Sequence, residues 1–132
     1  MSDLHEILYI SLLAPDQPTQ VVGRIVAQAR ARNAANAITG LLVFDGMRFC
    51  QHLEGPRDAV QALLSRLQAD PRHAALEVLH QGALTQRRYQ RFEMGLAQVE
   101  HDDDHLAGIA TLRAEEALQC FLALRPRFDI SG

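Results

Sequence analysis

A primary amide stands at the centre of an otherwise apolar face in the stretch FCQHLEG, residues 49–55. Alternate side chains of a strand share a face, so Phe49, Gln51 and Leu53 point one way and Cys50, His52 and Glu54 the other. Burying an unpaired amide costs about 1–3 kcal/mol, so Gln51 requires a partner. Tyr9 qualifies. It lies mid-strand in HEILYIS (5–11), on the face of Ile7 and Ser11, and a buried tyrosine usually finds a partner for its hydroxyl. Asn33 is a second amide in a similar position. It ends a stripe of Val22, Val26 and Ala29, spaced four, three and four apart along a helix. Capping the helix C-terminus is the ordinary role for an asparagine there.

Together the phenol and the two amides define a pocket between that helix and the sheet, with apolar walls from Ile7, Ile25, Phe49 and Leu53. The pocket lacks an acid–base pair and a nucleophile with an adjacent base, so it makes a poor hydrolase site. Amides donate and accept at once. The arrangement therefore suits a flat heteroaromatic ligand with donors and acceptors alternating along one edge, such as a flavin or a pterin. A glutamine between a phenol and such a ring could also relay a change in hydrogen bonding.

The elements that must position these groups follow from pattern. HEILYIS alternates as a strand, and Pro18 is placed to open a helix running from Thr19 to about Asn33. The strands AITGLLVFD and MRFCQHLEG flank Asp45-Gly46, a strong hairpin signal. Gly55-Pro56 begins a second helix that turns Val60, Leu63, Leu64 and Leu67 inward and stops at Asp70-Pro71. ALEVLHQGAL (75–84) and FEMGLAQV (92–99) read as the fourth and fifth strands, and helical segments follow near 103–110 and 114–123. This is an α+β chain with the ferredoxin-like order β-α-β-β-α-β, an additional fifth strand and C-terminal helices. Two helices cover one face of the sheet, and the other face is either solvated or covered by the C-terminal helices. The connection TQRRYQR reads as solvated basic surface, and His73 as a residue of a turn.

Composition narrows the function classes. The chain has 132 residues, 48% apolar and 22% charged, which is globular composition for one domain. A formal charge of −3 argues against a general nucleic-acid binder. Cys50 and Cys120 show no CxxC spacing, so a reducing, cytoplasmic setting is expected. The N-terminus lacks a basic leader, and no apolar run approaches the roughly 20 residues that span a bilayer. His101 and His105 in HDDDH have i,i+4 metal-ligand spacing, but an acidic helix start accounts for that run more simply.

The stretches LYIS (8–11), RNAANAITGLLVF (32–44), FCQHLEGP (49–56), ADPRH (69–73) and RRYQRFEM (87–94) resemble, in order and spacing, the BLUF family of blue-light sensors using flavin. The resemblance implies FAD held noncovalently between the two helices of a domain over residues 1–99, with residues 100–132 as a helical extension packed on it. It implies that Tyr9 is the photoactive electron donor and Gln51 the rearranging amide between Tyr9 and flavin. Asn33, with Arg32 beside it, would hold the edge of the ring. Ile25 would line the pocket, Arg66 and Asp70 would stand near the outer part of the nucleotide, and Met94 would relay the signal. At i,i+4 spacing, Arg66 and Asp70 also read as a solvated helix pair worth about 0.3–0.5 kcal/mol. Many members carry Trp two residues before the methionine; here Phe92 stands in that place and the chain has no Trp. A phenyl ring cannot compete for the Gln51 amide by conventional hydrogen bonding.

The expected function is therefore a photoreceptor without enzymatic activity, acting on a separate downstream protein or through a homo-oligomer, with no direct contact to nucleic acid or membrane. The alternative is a non-photochemical ligand-binding regulatory domain of the same fold. An acylphosphatase-type hydrolase is disfavoured, because the Arg and Asn of its signature loop are not evident.

Overall fold

The structure, a computed structural model of the chain, describes residues 3–89, 95–99, 105–128 and 130–131. The elements are β1 (Leu4–Leu13), α1 (Val21–Ala35), β2 (Thr39–Phe44), β3 (Arg48–Pro56), α2 (Arg57–Ala69), β4 (His73–Leu84), β5 (Gly95–Gln98), α3 (His105–Ala110), α4 (Ala114–Leu124) and β6 (Ile130–Ser131). A 3-10 turn, Arg125–Arg127, follows α4. Among the described residues the sheet runs β4-β1-β3-β2-β5-β6. The first four of these strands are antiparallel neighbours in the ferredoxin-like arrangement, and β5 joins β2 in parallel. The sheet thus has one strand more than the five expected. The two residues of β6 pair with Leu96 and Ala97 of β5, and a two-residue strand carries too little alternation to be read from sequence. No described helix is long and apolar enough to cross a membrane.

Local sequence explains the elements that build the site. The α1 stripe Val22, Val26, Ala29 and Asn33 is buried as its spacing requires, and so are Val60, Leu63, Leu64 and Leu67 of α2. The β2–β3 hairpin turns at Asp45-Gly46 because Gly46 takes φ +93°, a region open to glycine. The Asp45 carboxylate then accepts the backbone N–H groups of Met47 at 3.0 Å and Arg48 at 2.6 Å.

Two cores result. The first packs α1 and α2 on one face of the sheet, and the second packs α3 and α4 on the other, around Leu8, Leu41, Cys50, Ile109 and Phe121. The second face is therefore covered, and β3 is buried on both sides between Phe49 and Gly55. Gly40 permits this density. A Cβ built there would lie 2.3 Å from the His52 carbonyl oxygen and 3.2 Å from the Leu53 Cα. Gly40→Ala is expected to force β2 and β3 apart, at a cost of about 1–3 kcal/mol or somewhat more because backbone is the obstacle. The urea midpoint at constant slope measures this; an unchanged midpoint would show that the close approach is not needed.

Candidate functional site

The register of β1 on β3 sets Tyr9 directly opposite Gln51, and cross-strand partners share a face. The Tyr9 hydroxyl donates to Gln51 Oε1. Both side chains open into a narrow cleft floored by Tyr9, Leu42 and Gln51. One wall is α1 (Ile25, Gln28, Ala29 and Arg32) and the other is α2 (Leu63 and Leu67), with Asp70, Arg72 and His73 at the α2–β4 turn. The cleft thus lies between the two helices and the sheet, not between α1 and the sheet alone. Ile7, Phe49 and Leu53 belong to the surrounding core.

Tyr9 is fully buried. Burial, reinforced by Cys50 and Asp70 and opposed by Arg32, raises its pKa above the ordinary phenol value, so it remains protonated.

Asn33 is fully buried within α1, while the terminal cap is Asn36, whose side-chain amide donates to the Arg32 carbonyl at 2.8 Å. The capping reading of Asn33 is thereby overturned. Its side chain lies one turn beyond Ala29 on the buried stripe, though Asn33 is not among the residues lining the cleft.

The solvated Arg66–Asp70 pair, the alternative to a place near the nucleotide, does not form. Asp70 ends α2 in extended backbone (φ −75°, ψ 117°), which breaks the helical geometry an i,i+4 pair needs. Asp70 instead binds Arg72, with Nη2–Oδ2 at 2.7 Å and Nε–Oδ1 at 3.0 Å, and these hydrogen bonds hold its carboxyl below the usual range. Arg72 also donates to Gln28 Oε1 at 3.0 Å. Arg66 is not among the lining residues, yet its charge helps lower the pKa of Arg32, after burial and alongside Arg72.

Sequence reasoning missed Gln28, Arg72 and His73. Gln28 was legible in principle, because Ile25, Gln28 and Arg32 are spaced three and four apart on one helical face. His73 opens β4 and lines the cleft. Its Nδ1 is 2.8 Å from Ser11 Oγ, and its ring lies 4.8 Å from Phe49. Burial lowers its pKa, which keeps the imidazole neutral. Among the described residues, the buried His73 Nε2 and Arg32 Nε meet no hydrogen-bond partner. Buried polar atoms in native proteins are seldom left so. A planar ring with carbonyl oxygens and ring nitrogens on one edge and phosphates on its tail would offer acceptors to Arg32 Nε and a partner to His73 Nε2, so the residues present fit a flavin nucleotide.

The opposite face of β3 carries a second polar cluster. His52 is fully buried, with Nδ1 2.7 Å from the Tyr89 hydroxyl and Nε2 2.8 Å from Glu6 Oε1. Arg88 donates from Nε to Glu6 Oε1 at 3.0 Å, and the backbone N–H groups of Arg88 and Tyr89 donate to Glu54 Oε1, each at 2.7 Å. Arg87 donates to Thr39 Oγ1 and to the Ala37 carbonyl. The segment 87–89 is therefore tied to the fold: Tyr89 is buried, while Arg88 stays exposed as its basic composition suggested but is held by Glu6 and Glu54. Its buried partners come from strands remote in sequence.

Burial lowers the pKa of His52 despite Glu6, so the imidazole is neutral at pH 7. Burial alone would raise Glu6, but hydrogen bonds from His52 and Arg88 outweigh it and hold the carboxyl well below its usual range. Both folded pKa values are depressed, so below the unfolded values the unfolded chain binds more protons and stability is lost as the pH is lowered. Denaturation midpoints are expected to drop on acidification from about pH 6.5, first through His52 and His73, both lowered by burial, and then, below the ordinary glutamate range, through Glu6. His52→Leu should flatten the upper part of that profile, and an unaltered profile would contradict the assignment.

Phe92 and Met94 lie outside the described residues, as do residues 101–104 of HDDDH. Among the described residues no cluster of side chains suited to a metal ion forms.

The family model described as sensors of blue-light using FAD matches residues 4–95. The blue light- and temperature-regulated antirepressor BluF of Escherichia coli (strain K12) is 32% identical over 103 residues, covering 76% of this chain and 26% of that protein. The photoactivated adenylate cyclase subunit beta of Euglena gracilis is 37% identical over 86 residues, covering 65% and 10%. The chain thus spans about a quarter and a tenth of the length of these relatives. The dark-state structure of BlrB, a BLUF protein, superposes with a TM-score of 0.69 at 30% identity, covering 80% of this chain and 79% of that one.

Proposed function

Because this chain belongs to the BLUF family, the sensors of blue light using FAD, we propose that it converts absorption of blue light into a rearranged hydrogen bond between Tyr9 and Gln51. The observation that carries this reading is the buried donation from the Tyr9 hydroxyl to Gln51 Oε1 at the floor of the cleft. Bound FAD supplies blue-light absorption and an electron-accepting excited state. Tyr9 would be the donor of one electron to the excited flavin, its hydroxyl proton passing toward the Gln51 oxygen that already accepts it, and both would return to Tyr9 as the pair recombines. The Gln51 amide then re-forms its hydrogen bonds in a different pattern. Arg32 and His73, with Asn33 behind them on the buried stripe of α1, would hold the ring, Ile25 would pack against it, and Asp70 and Arg72, with the nearby charge of Arg66, would meet the nucleotide tail.

We assign residues 1–99 to flavin binding and 100–132 to an extension that carries the signal, with Met94 as a relay. The chain acts as a sensor and not as an enzyme. Its output passes to a separate protein or through self-association, a reading supported by the antirepressor among its relatives.

The test is spectroscopic. Purified protein should be yellow, with a flavin band that shifts slightly to the red under blue light and recovers in darkness. Colourless protein that takes up no FAD would overturn the reading. Bound flavin without a reversible shift would favour a plain ligand-binding domain.

A further inference from the structure

Gln51 and His52 are consecutive on β3, so they face opposite sides of the sheet. Gln51 meets Tyr9 in the cleft. His52 meets the C-terminal part of the chain: its ring stands edge-on to Phe121 of α4 at 5.6 Å and to Tyr89 at 5.2 Å. Tyr89 in turn lies beneath the Arg125 guanidinium, 5.3 Å from the ring centre. We propose that His52 is the positioning residue that passes a change at Gln51 to the C-terminal helices, through a polar clasp it forms with Tyr89 and Glu6. This rests on the light-sensing reading above.

The chemistry of the clasp makes it directional. A carboxylate only accepts, so the Glu6 contact at 2.8 Å assigns the His52 proton to Nε2. Nδ1 is then the acceptor, and the Tyr89 hydroxyl donates to it at 2.7 Å. Both ring nitrogens are committed, so the imidazole cannot turn without losing both bonds. Such bonds weaken steeply with misalignment, and the interior leaves no solvent to replace them, since His52 is fully buried. A shift of β3 at Gln51 must therefore carry Tyr89 with it or break the Tyr89–His52 bond. Glu54, two residues further along the same face, ties the clasp to the backbone of Arg88 and Tyr89. One strand thus holds both α4 and the connection leading toward β5. An apolar residue at position 52 would fill the space without these two hydrogen bonds.

The experiment uses the FAD-loaded full chain with 15N-labelled histidine. The His52 ring nitrogen resonances are recorded in darkness, under blue light and after recovery, alongside hydrogen exchange over residues 105–124. We expect His52 resonances that move on illumination and return in darkness. Tyr89→Phe, which removes only the hydroxyl, should keep the flavin red shift but lose the light-minus-dark exchange difference, and His52→Leu should behave alike. His52→Asn, whose amide oxygen can accept the Tyr89 hydroxyl, should recover part of that difference. A wild-type red shift with stationary His52 resonances, or a full exchange difference in Tyr89→Phe, would overturn the proposal while leaving light sensing intact. No red shift in the wild type would remove the light-sensing reading and this inference together.

Discussion

Gln51→Leu is expected to retain flavin and to lose the light-induced red shift completely. Leucine occupies a similar volume beside Leu42 and Tyr9 but offers no donor or acceptor, so nothing remains at that position to rearrange. The substitution also leaves the Tyr9 hydroxyl, buried at the cleft floor, without its acceptor. That cost is about 1–3 kcal/mol, so the comparison must be made on protein shown to be folded, with flavin content read from absorbance. A normal reversible shift would remove Gln51 from the mechanism and reassign the spectral change to another cleft residue.

Tyr9→Phe should abolish or divert the forward photoreaction while flavin binding stays close to wild type. Only the hydroxyl is lost, so the ring keeps its place in the core and its edge contact with His73 at 6.1 Å. The lost hydrogen bond costs about 0.5–1.5 kcal/mol of stability. Phenylalanine is a far poorer electron donor and has no acidic proton. The chain has no Trp, and its other tyrosine, Tyr89, is packed in the core on the opposite face of the sheet. Transient absorption in the first steps after a light pulse would show whether electron donation persists. An unchanged photocycle would refute the role given to Tyr9.

These two expectations depend on one contact, and its two halves were legible in different ways. The alternation in FCQHLEG and HEILYIS placed Gln51 and Tyr9 on apolar faces, and burial without a partner is costly enough to demand one. The resemblance to BLUF proteins then attached roles to both. That they meet depends on the register of β1 against β3, which pairs Tyr9 with Gln51. A slip of one residue would send Tyr9 to the other face. That register is set by the packing of both faces of the sheet, while the hairpin turn at Gly46 and the close approach at Gly40 fix β2 against β3.

The same division holds across the fold. The inward stripes of α1 and α2 were determined by sequence alone, because helical periodicity is local and each apolar residue carries its own burial preference. The β-α-β-β-α-β order followed from the same local signals. The partner of Asp70 was decided by tertiary structure: the chain leaves α2 there in extended form and brings Arg72 to the carboxylate. Tyr89 and Arg88 read as solvated because their own segment is polar. They are clamped because Glu6, His52 and Glu54 come from strands whose second face α3 and α4 seal from water. A polar side chain's partners lie at distances along the chain that no local pattern encodes. Its burial is therefore a property of the assembled layers, whereas the periodicity that builds each layer is written in the segment itself.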